Sequence, residues 1–241
     1  MLSERSCGKF RQHTVQTYSF MTRLANLFEK YGNLLNTKKG RILFGVDDPT
    51  TKMYLIKEGA VKIYRYTEDG KEVMFHIHGP GELITISPLF KEMDHVVYAE
   101  SLVDTQIYWV PLPQFKELTK EDPEILLEIG KNLDDNWDEV EEKIEAFVTH
   151  DSLGRLAFII IHLANKYGQK INRKTTIPFP LTHQELANLT GMFRETISIS
   201  IQELKKEKII SIEKHLIAIE DKGKLEACAR SGKEAISSKF N

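Results

Sequence analysis

The sequence contains no run of about 18 apolar residues, and it has only two cysteines, Cys7 and Cys228. The first absence excludes a membrane-spanning helix, so no membrane partner is expected. Two distant thiols do not supply the four ligands that a structural zinc ion or an iron–sulfur cluster usually requires. The N-terminal segment lacks the apolar core of a secretory signal, so we expect a cytoplasmic protein with free thiols.

The sequence motifs of common enzyme classes are also absent. The chain contains no G-x-x-x-x-G-K-[ST], no G-x-S-x-G and no H-E-x-x-H, and its histidines and cysteines are not densely clustered. These absences exclude the best-known patterns for phosphate binding, serine hydrolysis and zinc catalysis. We therefore expect no enzyme activity, no metal and no cofactor.

Charge is unevenly distributed along the chain, although the net charge is only −2. Residues 121–145 contain eleven acidic residues and two lysines, whereas residues 151–222 contain eleven basic and eight acidic residues. The acidic segment is best explained as the solvated face of a helix. The basic C-terminal part is compatible with a polyanionic partner, but an excess of three positive charges does not identify one.

Residues 15–35 have a helical pattern, and from Gly40 to about Pro111 the pattern changes to short alternating runs separated by Gly, Pro and Asp. This pattern is typical of many short antiparallel strands in a sandwich, roll or barrel. The runs 62–66 and 71–75 flank the turn sequence TEDG and predict a hairpin. With a short helical connector over 113–120, residues 1–120 form a predicted β domain.

A long helix is predicted to begin near Pro123 and to form a dimerisation segment over residues 121–150. Its apolar residues recur at spacings of three and four, which indicates a heptad seam of about three repeats. Packing of this helix on its own β domain is the alternative, but the seam is narrow and the other faces are highly charged. The residues expected to pair with a twin helix in a homodimer are Leu126, Ile129, Leu133, Trp137, Val140, Ile144 and Phe147.

The remaining segment, residues 151–241, has the pattern of a winged helix-turn-helix. Thr182 followed by Glu185 is a capping box that begins one helix. Gly191 permits a turn, a second helix runs from about Arg194 to Lys206, and the sequence IISIEKHLIAIED predicts a two-stranded wing. In such a motif the N-terminal residues of the second helix enter the major groove, so the expected partner is double-stranded DNA.

Together, the β domain, the long helix and the pattern T-x-Q-E-L-A…G-x-x-R-E-T-I-S resemble the Crp–Fnr family of bacterial transcription regulators over residues 20–220. The resemblance implies an α+β fold with an N-terminal antiparallel β roll of the cyclic-nucleotide-binding type. It also implies a homodimer that binds a two-fold symmetric promoter site and contacts RNA polymerase. Whether such a protein activates or represses transcription does not follow from the sequence.

The resemblance assigns roles within the helix-turn-helix. Arg194 and Glu195 match the first two base-reading residues of the family pattern R-E-T-V/I-x-R, and Ser198 matches a serine that some relatives use. Ile199 replaces the final arginine of that pattern, so we expect a contact with a thymine methyl and an operator that departs from the usual half-site. The residues expected to contact DNA phosphates, which position the protein without specifying sequence, are Thr182, Gln184 and Phe193.

The resemblance also bears on the effector. Cyclic-AMP sensors of this family carry a G-D-F-I-G-E-L helix followed by R-S, whose Glu meets ribose and whose Arg and Ser meet the cyclic phosphate. Here the Gly-Glu pair falls on Thr85 and Ile86, and the Arg-Ser pair falls on His95 and Val96. The ribose carboxylate and the phosphate contacts are both missing, so we expect no control by cyclic AMP. These four positions are the expected place of any other effector.

Several alternatives for the control of DNA binding stay open. The cysteine count excludes a four-thiolate oxygen-sensing cluster, but Cys7 is a candidate for redox sensing. His76 and His78 lie two residues apart and share one face of a regular strand, so either is a candidate haem ligand. An unknown small effector in the β roll and constitutive DNA binding are the remaining alternatives. A ligand-binding module that acts on a protein partner is disfavoured by the winged helix-turn-helix.

Overall fold

The computed structural model describes residues 22–171 and 173–231. Antiparallel strands and short helices form the N-terminal half, and a long helix leads to a helical C-terminal domain with a small sheet, so the predicted α+β fold is confirmed. None of the helices in these ranges is both long and apolar enough to cross a bilayer. The helices are α1 (Arg23–Tyr31), α2 (Ser87–Phe90), α3 (Leu112–Glu121), α4 (Glu124–Thr149), α5 (Ser152–Tyr167), α6 (His183–Thr190), α7 (Arg194–Lys206) and α8 (Lys222–Ser231). The strands are β1 (Asn33–Thr37), β2 (Ile42–Phe44), β3 (Lys52–Glu58), β4 (Val61–Tyr66), β5 (Glu72–His78), β6 (Tyr98–Ser101), β7 (Thr105–Pro111), β8 (Gln169–Ile171), β9 (Lys174–Thr176), β10 (Ile210–Glu213) and β11 (Leu216–Ile219).

Two antiparallel sheets form the β domain, with strand orders β1-β7-β3 and β2-β6-β4-β5. The predicted hairpin is confirmed as β4 and β5, with Val61 opposite His78 and Tyr66 opposite Glu72. Gly70 closes its turn with a φ of 77°, a left-handed conformation that glycine adopts without strain. The core that includes residues of both sheets is formed by Phe44, Tyr54, Ile56, Val61, Ile63, Ile84, Ala99 and Ile107.

Helix α1 ends earlier than the helical pattern of the sequence predicted, and residues 15–21 of that prediction lie outside the described residues. Thr22 Oγ1 accepts a hydrogen bond from the Ala25 N–H at 3.1 Å and begins the helix. The chain leaves the helix at Gly32, and β1 then pairs with β7 over its whole length. The prediction of helix is wrong for residues 33–35, because pairing with a neighbouring strand overrides local helix propensity.

Helix α4 spans 26 residues and begins inside the β domain. Ile125 and Ile129 are buried together with residues of α1 and α3, among them Phe28 and Phe115. The prediction of Ile129 as a dimer contact is therefore wrong, because its own chain encloses its side chain completely. Of the other predicted dimer contacts, Val140 and Phe147 are half-buried, whereas the exposed ones are Leu126, Leu133, Trp137 and Ile144.

The C-terminal domain contains α5 to α8 and a sheet with strand order β10-β11-β9-β8. Strands β10 and β11 are the predicted wing. Strands β8 and β9 were not predicted, because three residues are too few to show an alternating pattern. Helix α8 follows the wing and packs on α5, where it buries Leu225 and Cys228. The helix-turn-helix is thus supported from behind by α5.

Candidate nucleic-acid interface and its junction with the β domain

The first helix of the motif begins as predicted. Thr182 Oγ1 accepts a hydrogen bond from the Glu185 N–H at 3.1 Å, and Glu185 Oε2 accepts one from the Thr182 N–H at 2.6 Å. This capping box satisfies two backbone donors and fixes the direction in which α6 starts. Leu186 and Leu189 are buried in the core, whereas Thr182 and Gln184 are exposed at the first turn.

The turn and the second helix also follow the prediction. Gly191 adopts a φ of 68°, which allows the sharp turn into α7. Ile197, Ile201 and Leu204 are buried and form the inner stripe of α7. The outer side carries all the predicted base contacts, and there Phe193 is 76% exposed and Ile199 is 62% exposed. The predicted DNA-facing residues on this side are Phe193, Arg194, Glu195, Ser198 and Ile199, of which Ser198 is half-buried and the others are exposed.

A hydrogen bond joins the starts of the two helices. His183 Nδ1 lies 2.8 Å from Ser198 Oγ. This contact brings the exposed turn of α6, with Thr182 and Gln184, beside the predicted base-reading end of α7. His183 was not predicted to belong to the site. Its place directly after the N-cap of a helix-turn-helix is the sequence signal that points to it.

The wing adds positive charge to the same domain. Its two-residue turn consists of Lys214 and His215, which are both exposed and have φ values of 50° and 65°. Two consecutive left-handed residues form the tight turn that suits the twist of a hairpin. Lys205, Lys206 and Lys208 are exposed where α7 leads into the wing. Cations in this number favour binding of a polyanion such as DNA.

The predicted effector residues have different surroundings. Ile86 is buried in the core against α1 and α3, whereas His95 stacks on Phe44 with ring centroids 3.6 Å apart. Both side chains are part of the packed core, and their role as effector contacts stays a prediction. Val96 is 47% exposed. Thr85 Oγ1 is buried and lacks a hydrogen-bond partner within residues 22–171 and 173–231.

In the described part of the β domain, no metal-ligating cluster is present and one open groove has a lining of mixed charge. No group of three or more His, Cys, Asp or Glu side chains is arranged to hold a metal ion in the described part of the chain. An open groove of about 880 Å³ lies between residues 88–94 and α3. The charged side chains in its lining have both signs, so the groove does not select one ligand class; they are Lys91, Glu92, Asp94, Lys116, Glu117 and Lys120.

Of the two cysteines, Cys228 lies among the described residues and Cys7 does not. Cys228 is buried behind the helix-turn-helix, and burial raises the pKa of its thiol. A raised thiol pKa disfavours the thiolate, which is the reactive form, so Cys228 is suited to a structural role. Cys7 lies outside the described residues, and its redox role stays a prediction.

A buried network of charged residues joins the β domain to α4 and α5. Lys166 Nζ of α5 lies 2.9 Å from Glu82 Oε1 of the β domain and 2.9 Å from Glu139 Oε2 of α4. Tyr167 donates a hydrogen bond to Glu82 Oε2 at 2.7 Å. His162 Nε2 lies 3.2 Å from Glu139 Oε1. Three segments of the chain therefore meet at one lysine.

Two histidines of β5 face the same network. His76 Nδ1 lies 3.5 Å from Glu139 Oε1, and His78 Nδ1 lies 3.8 Å from Glu82 Oε1. Their rings are stacked with centroids 5.7 Å apart, so the two side chains share one face of the strand. Because each ring faces a buried carboxylate of a packed junction, this arrangement favours a structural role over haem ligation.

Electrostatic interactions explain why the lysine and the carboxylates of the network are charged at neutral pH. Burial alone would raise the pKa of Glu82, but attraction to Lys166 and hydrogen bonds lower it to about 2. Burial alone would lower the pKa of Lys166, but the two carboxylates raise it well above its usual value. Burial lowers the pKa of His76 and outweighs the opposing effect of Glu139. The charged state of the lysine and carboxylates is thus favoured beside a neutral His76.

The β4–β5 hairpin contacts the helix-turn-helix directly. Glu72 Oε1 accepts a hydrogen bond from Asn188 Nδ2 at 2.9 Å, and Asn188 Oδ1 accepts one from Gln184 Nε2 at 2.8 Å. Lys62 Nζ lies 3.2 Å from Glu72 Oε1. A chain of polar contacts therefore runs from the β sheet to Gln184, a predicted phosphate contact.

Comparison with known sequences gives two family matches and many relatives. The family described as cyclic nucleotide-binding domain matches residues 34–122, and the Crp-like helix-turn-helix domain matches residues 154–228. The chain is 25% identical over 184 residues to the global nitrogen regulator of Nostoc sp. (strain PCC 7120), which covers 76% of this chain and 82% of that protein. It is 25% identical over 191 residues to an anaerobic regulatory protein of Bacillus subtilis (strain 168), with coverage of 79% and 80%.

Solved structures show the same architecture. A transcriptional regulator of the CRP/FNR family from Thermus thermophilus is 26% identical, with a TM-score of 0.67 over 83% of this chain and 99% of that chain. FixK2 from Bradyrhizobium japonicum is 17% identical, with a TM-score of 0.72 over 81% of this chain and 96% of that chain. The second likeness shows the fold alone, and the first agrees with the sequence matches.

We expect Lys166→Met to destabilise the protein by about 3–5 kcal/mol, because it leaves two buried carboxylates without their cation. The measurement is urea unfolding followed by circular dichroism. Lys120→Met is the matched control, since Lys120 pairs with Glu117 where both side chains are about two-thirds exposed or more. Its expected effect is below about 1 kcal/mol. Equal effects of the two substitutions would contradict the importance of the network.

We expect stability to fall as the pH drops below about 6.5, the usual pKa of histidine. Because burial lowers the pKa of His76 in the folded protein, the unfolded chain takes up a proton at a higher pH than the folded chain does. Burial lowers the pKa of His95 as well, so part of the effect belongs to that residue. In urea unfolding at about pH 7.5, 6.5 and 5.5, His76→Asn should show a smaller loss than the wild type. The control His215→Asn, at an exposed site, should lose as much stability between these pH values as the wild type does. The same loss in His76→Asn would contradict the prediction.

Proposed function

The chain belongs to the Crp–Fnr family of DNA-binding transcription regulators, and we propose that it acts as a homodimer in which the start of α7 reads a two-fold symmetric DNA site. One observation carries the proposal: the outer side of α7 is exposed beside the exposed, capped start of α6. Arg194 and Glu195 are the base-reading pair, with Ser198 and Ile199 further along the helix. Guanine is the expected partner of Arg194, and a cytosine amino group is the expected partner of Glu195.

Phosphate contacts fix the position of α7 in the groove. Thr182 and Gln184 are exposed at the N-terminus of α6, where backbone N–H groups and the helix dipole favour an anion. Phe193 is exposed directly before α7 and packs against the DNA backbone in this proposal. These contacts position the protein, whereas the residues of α7 specify the sequence.

The exposed stripe of α4 is the proposed dimer interface. Trp137 and Ile144 are 63% and 59% exposed, which is unusual for large apolar residues at regular spacing on a helix. A second copy of α4 covers both, with Leu126, Leu133, Val140 and Phe147 along the same seam. The dimer places two copies of α7 about one helical turn of DNA apart, so the half-sites are about 10 base pairs from centre to centre.

Control by cyclic AMP is not part of the proposal. The positions that match the family's nucleotide contacts hold Thr85, Ile86, His95 and Val96, which supply neither a carboxylate for ribose nor an arginine for phosphate. Ile86 and His95 are packed in the core. The alternative proposal is a regulator that answers to an unidentified effector in the β domain or to oxidation of Cys7. In either case the protein acts where the chromosome is, in the cytoplasm, and RNA polymerase is its proposed protein partner.

The DNA role predicts a specific loss in Arg194→Ala/Glu195→Ala. The wild type should recover a two-fold symmetric sequence from random duplex DNA, and binding should weaken steeply with salt because counterions are released. The double variant should lose affinity for that site by at least about 10-fold, since each base contact is worth about 1–3 kcal/mol. Glu117→Ala/Lys120→Ala removes an exposed pair of the same charges on α3 and serves as the control. If the wild type selects no symmetric site with or without cell extract, the proposed function is wrong.

The dimer role predicts that Trp137→Asp/Ile144→Asp is monomeric. Two carboxylates placed in an apolar seam must be desolvated on pairing, and the helix is already acidic. Light scattering after gel filtration should give twice the 27.8 kDa chain mass for the wild type and a single chain mass for the variant. Lys131→Ala, an exposed change on the same helix, should leave the dimer intact. A dimeric double variant would place the interface elsewhere.

A further inference from the structure

The hydroxyl of Ser198 has two partners within the protein. His183 Nδ1 lies 2.8 Å from Ser198 Oγ, and Ser198 Oγ donates to the Arg194 carbonyl oxygen at 2.9 Å. The first partner comes from the start of α6 and the second from the preceding turn of α7. The Ser198 side chain therefore lies between the two helices of the motif, and both contacts restrict the rotation of its hydroxyl.

The single hydrogen of the Ser198 hydroxyl determines which atom donates in each of these two contacts. A serine hydroxyl has one hydrogen to donate and two lone pairs that can accept. If the hydrogen goes to the Arg194 carbonyl, the contact with His183 can be a hydrogen bond only when Nδ1 carries a hydrogen and donates it. Both contacts are thus satisfied together when His183 is the Nδ1–H tautomer or the imidazolium ion. In that state one lone pair of Ser198 remains, and it can only accept.

We infer that His183 is a positioning residue that makes Ser198 an acceptor-only reader of the DNA. This inference rests on the proposed function, in which the outer side of α7 faces the base edges. An acceptor in the major groove recognises an exocyclic amino group, which adenine presents at N6 and cytosine at N4. Guanine O6 and N7 and thymine O4 are themselves acceptors and are discriminated against. His183 thereby determines specificity at one base pair of each half-site.

The position of His183 supports this role. Its ring is half-buried, so its orientation is restricted, and it lies between Thr182 and Gln184 on the DNA-facing turn of α6. Within the described ranges, its Nδ1 is engaged by Ser198 while its Nε2 has no hydrogen-bond partner. A side chain held in this way fixes the position of Ser198 on α7 relative to the capped start of α6. It also leaves Arg194 and Glu195, one turn earlier on α7, to read their bases independently.

The test compares variants that keep or remove the donor at the Nδ1 position. The amide N–H of asparagine occupies about the place of Nδ1, whereas leucine fills a similar volume without a donor and glutamine carries its N–H further out. Each variant, the wild type and Ser198→Ala are used to select sites from random duplex DNA. Affinities for the four base pairs at the Ser198 position are then measured by fluorescence anisotropy. The position read by Arg194 serves as an internal reference.

We expect His183→Asn to keep the preference for adenine or cytosine at one position of each half-site. His183→Leu and His183→Gln should relax that preference by about 5- to 10-fold, since one base contact is at stake. The position read by Arg194 should not change. In a Ser198→Ala background, His183→Leu should have no further effect at that position, because His183 acts through the hydroxyl.

The outcomes separate the inference from the proposed function. If the wild type selects no symmetric site, the proposed function fails. If the wild type selects a site and His183→Leu selects the same one with unchanged base preference, the inference is overturned and the proposed function stands. The inference is also overturned if His183→Asn weakens the base preference at the Ser198 position as much as His183→Leu does. Should His183→Leu fail to fold, as judged by its melting curve, the contrast between His183→Asn and His183→Gln decides the same question.

Discussion

One buried lysine between two carboxylates joins the DNA-binding domain to the rest of the chain. Lys166 of α5 reaches Glu82 of the β domain and Glu139 of α4, at 2.9 Å each. A buried ion pair of this kind contributes little net stability compared with apolar packing, but removing one partner is costly. The network therefore favours one arrangement of the three segments over others in which a charge would be buried alone.

This arrangement leaves the reading surface open. The inner side of α6 docks on the β4–β5 hairpin through Asn188 and Glu72, while the outer side of α7 remains exposed. The β domain thus contacts the DNA-binding motif without covering the side chains proposed to read bases. Strand β5 contributes to both contacts of the domain, because His76 and His78 face the network and Glu72 faces α6.

The fold of the N-terminal domain does not determine which effector, if any, it binds. The N-terminal domain matches the cyclic nucleotide-binding family over residues 34–122, yet Ile86 and His95, at the positions predicted for the family's nucleotide contacts, are packed into the core. A shared fold therefore does not imply a shared ligand, because the fold depends on the core pattern and the ligand on a few side chains. The helix-turn-helix keeps Arg194 and Glu195 of the family pattern, although Ile199 replaces its final arginine. The family's DNA-binding function therefore follows, whereas its effector does not.

The sequence alone determined the features that rest on local patterns. The capping box at Thr182, the glycine turn at Gly191 and the extent of α7 were predictable because neighbouring residues in the chain set them. Tertiary structure decided the rest. The seam of α4 is regular in sequence, but only packing against α1 and α3 shows that Ile129 belongs to the chain's own core. The junction at Lys166 and the bond between His183 and Ser198 join residues 15 to 84 positions apart, and no local pattern records which distant side chains meet.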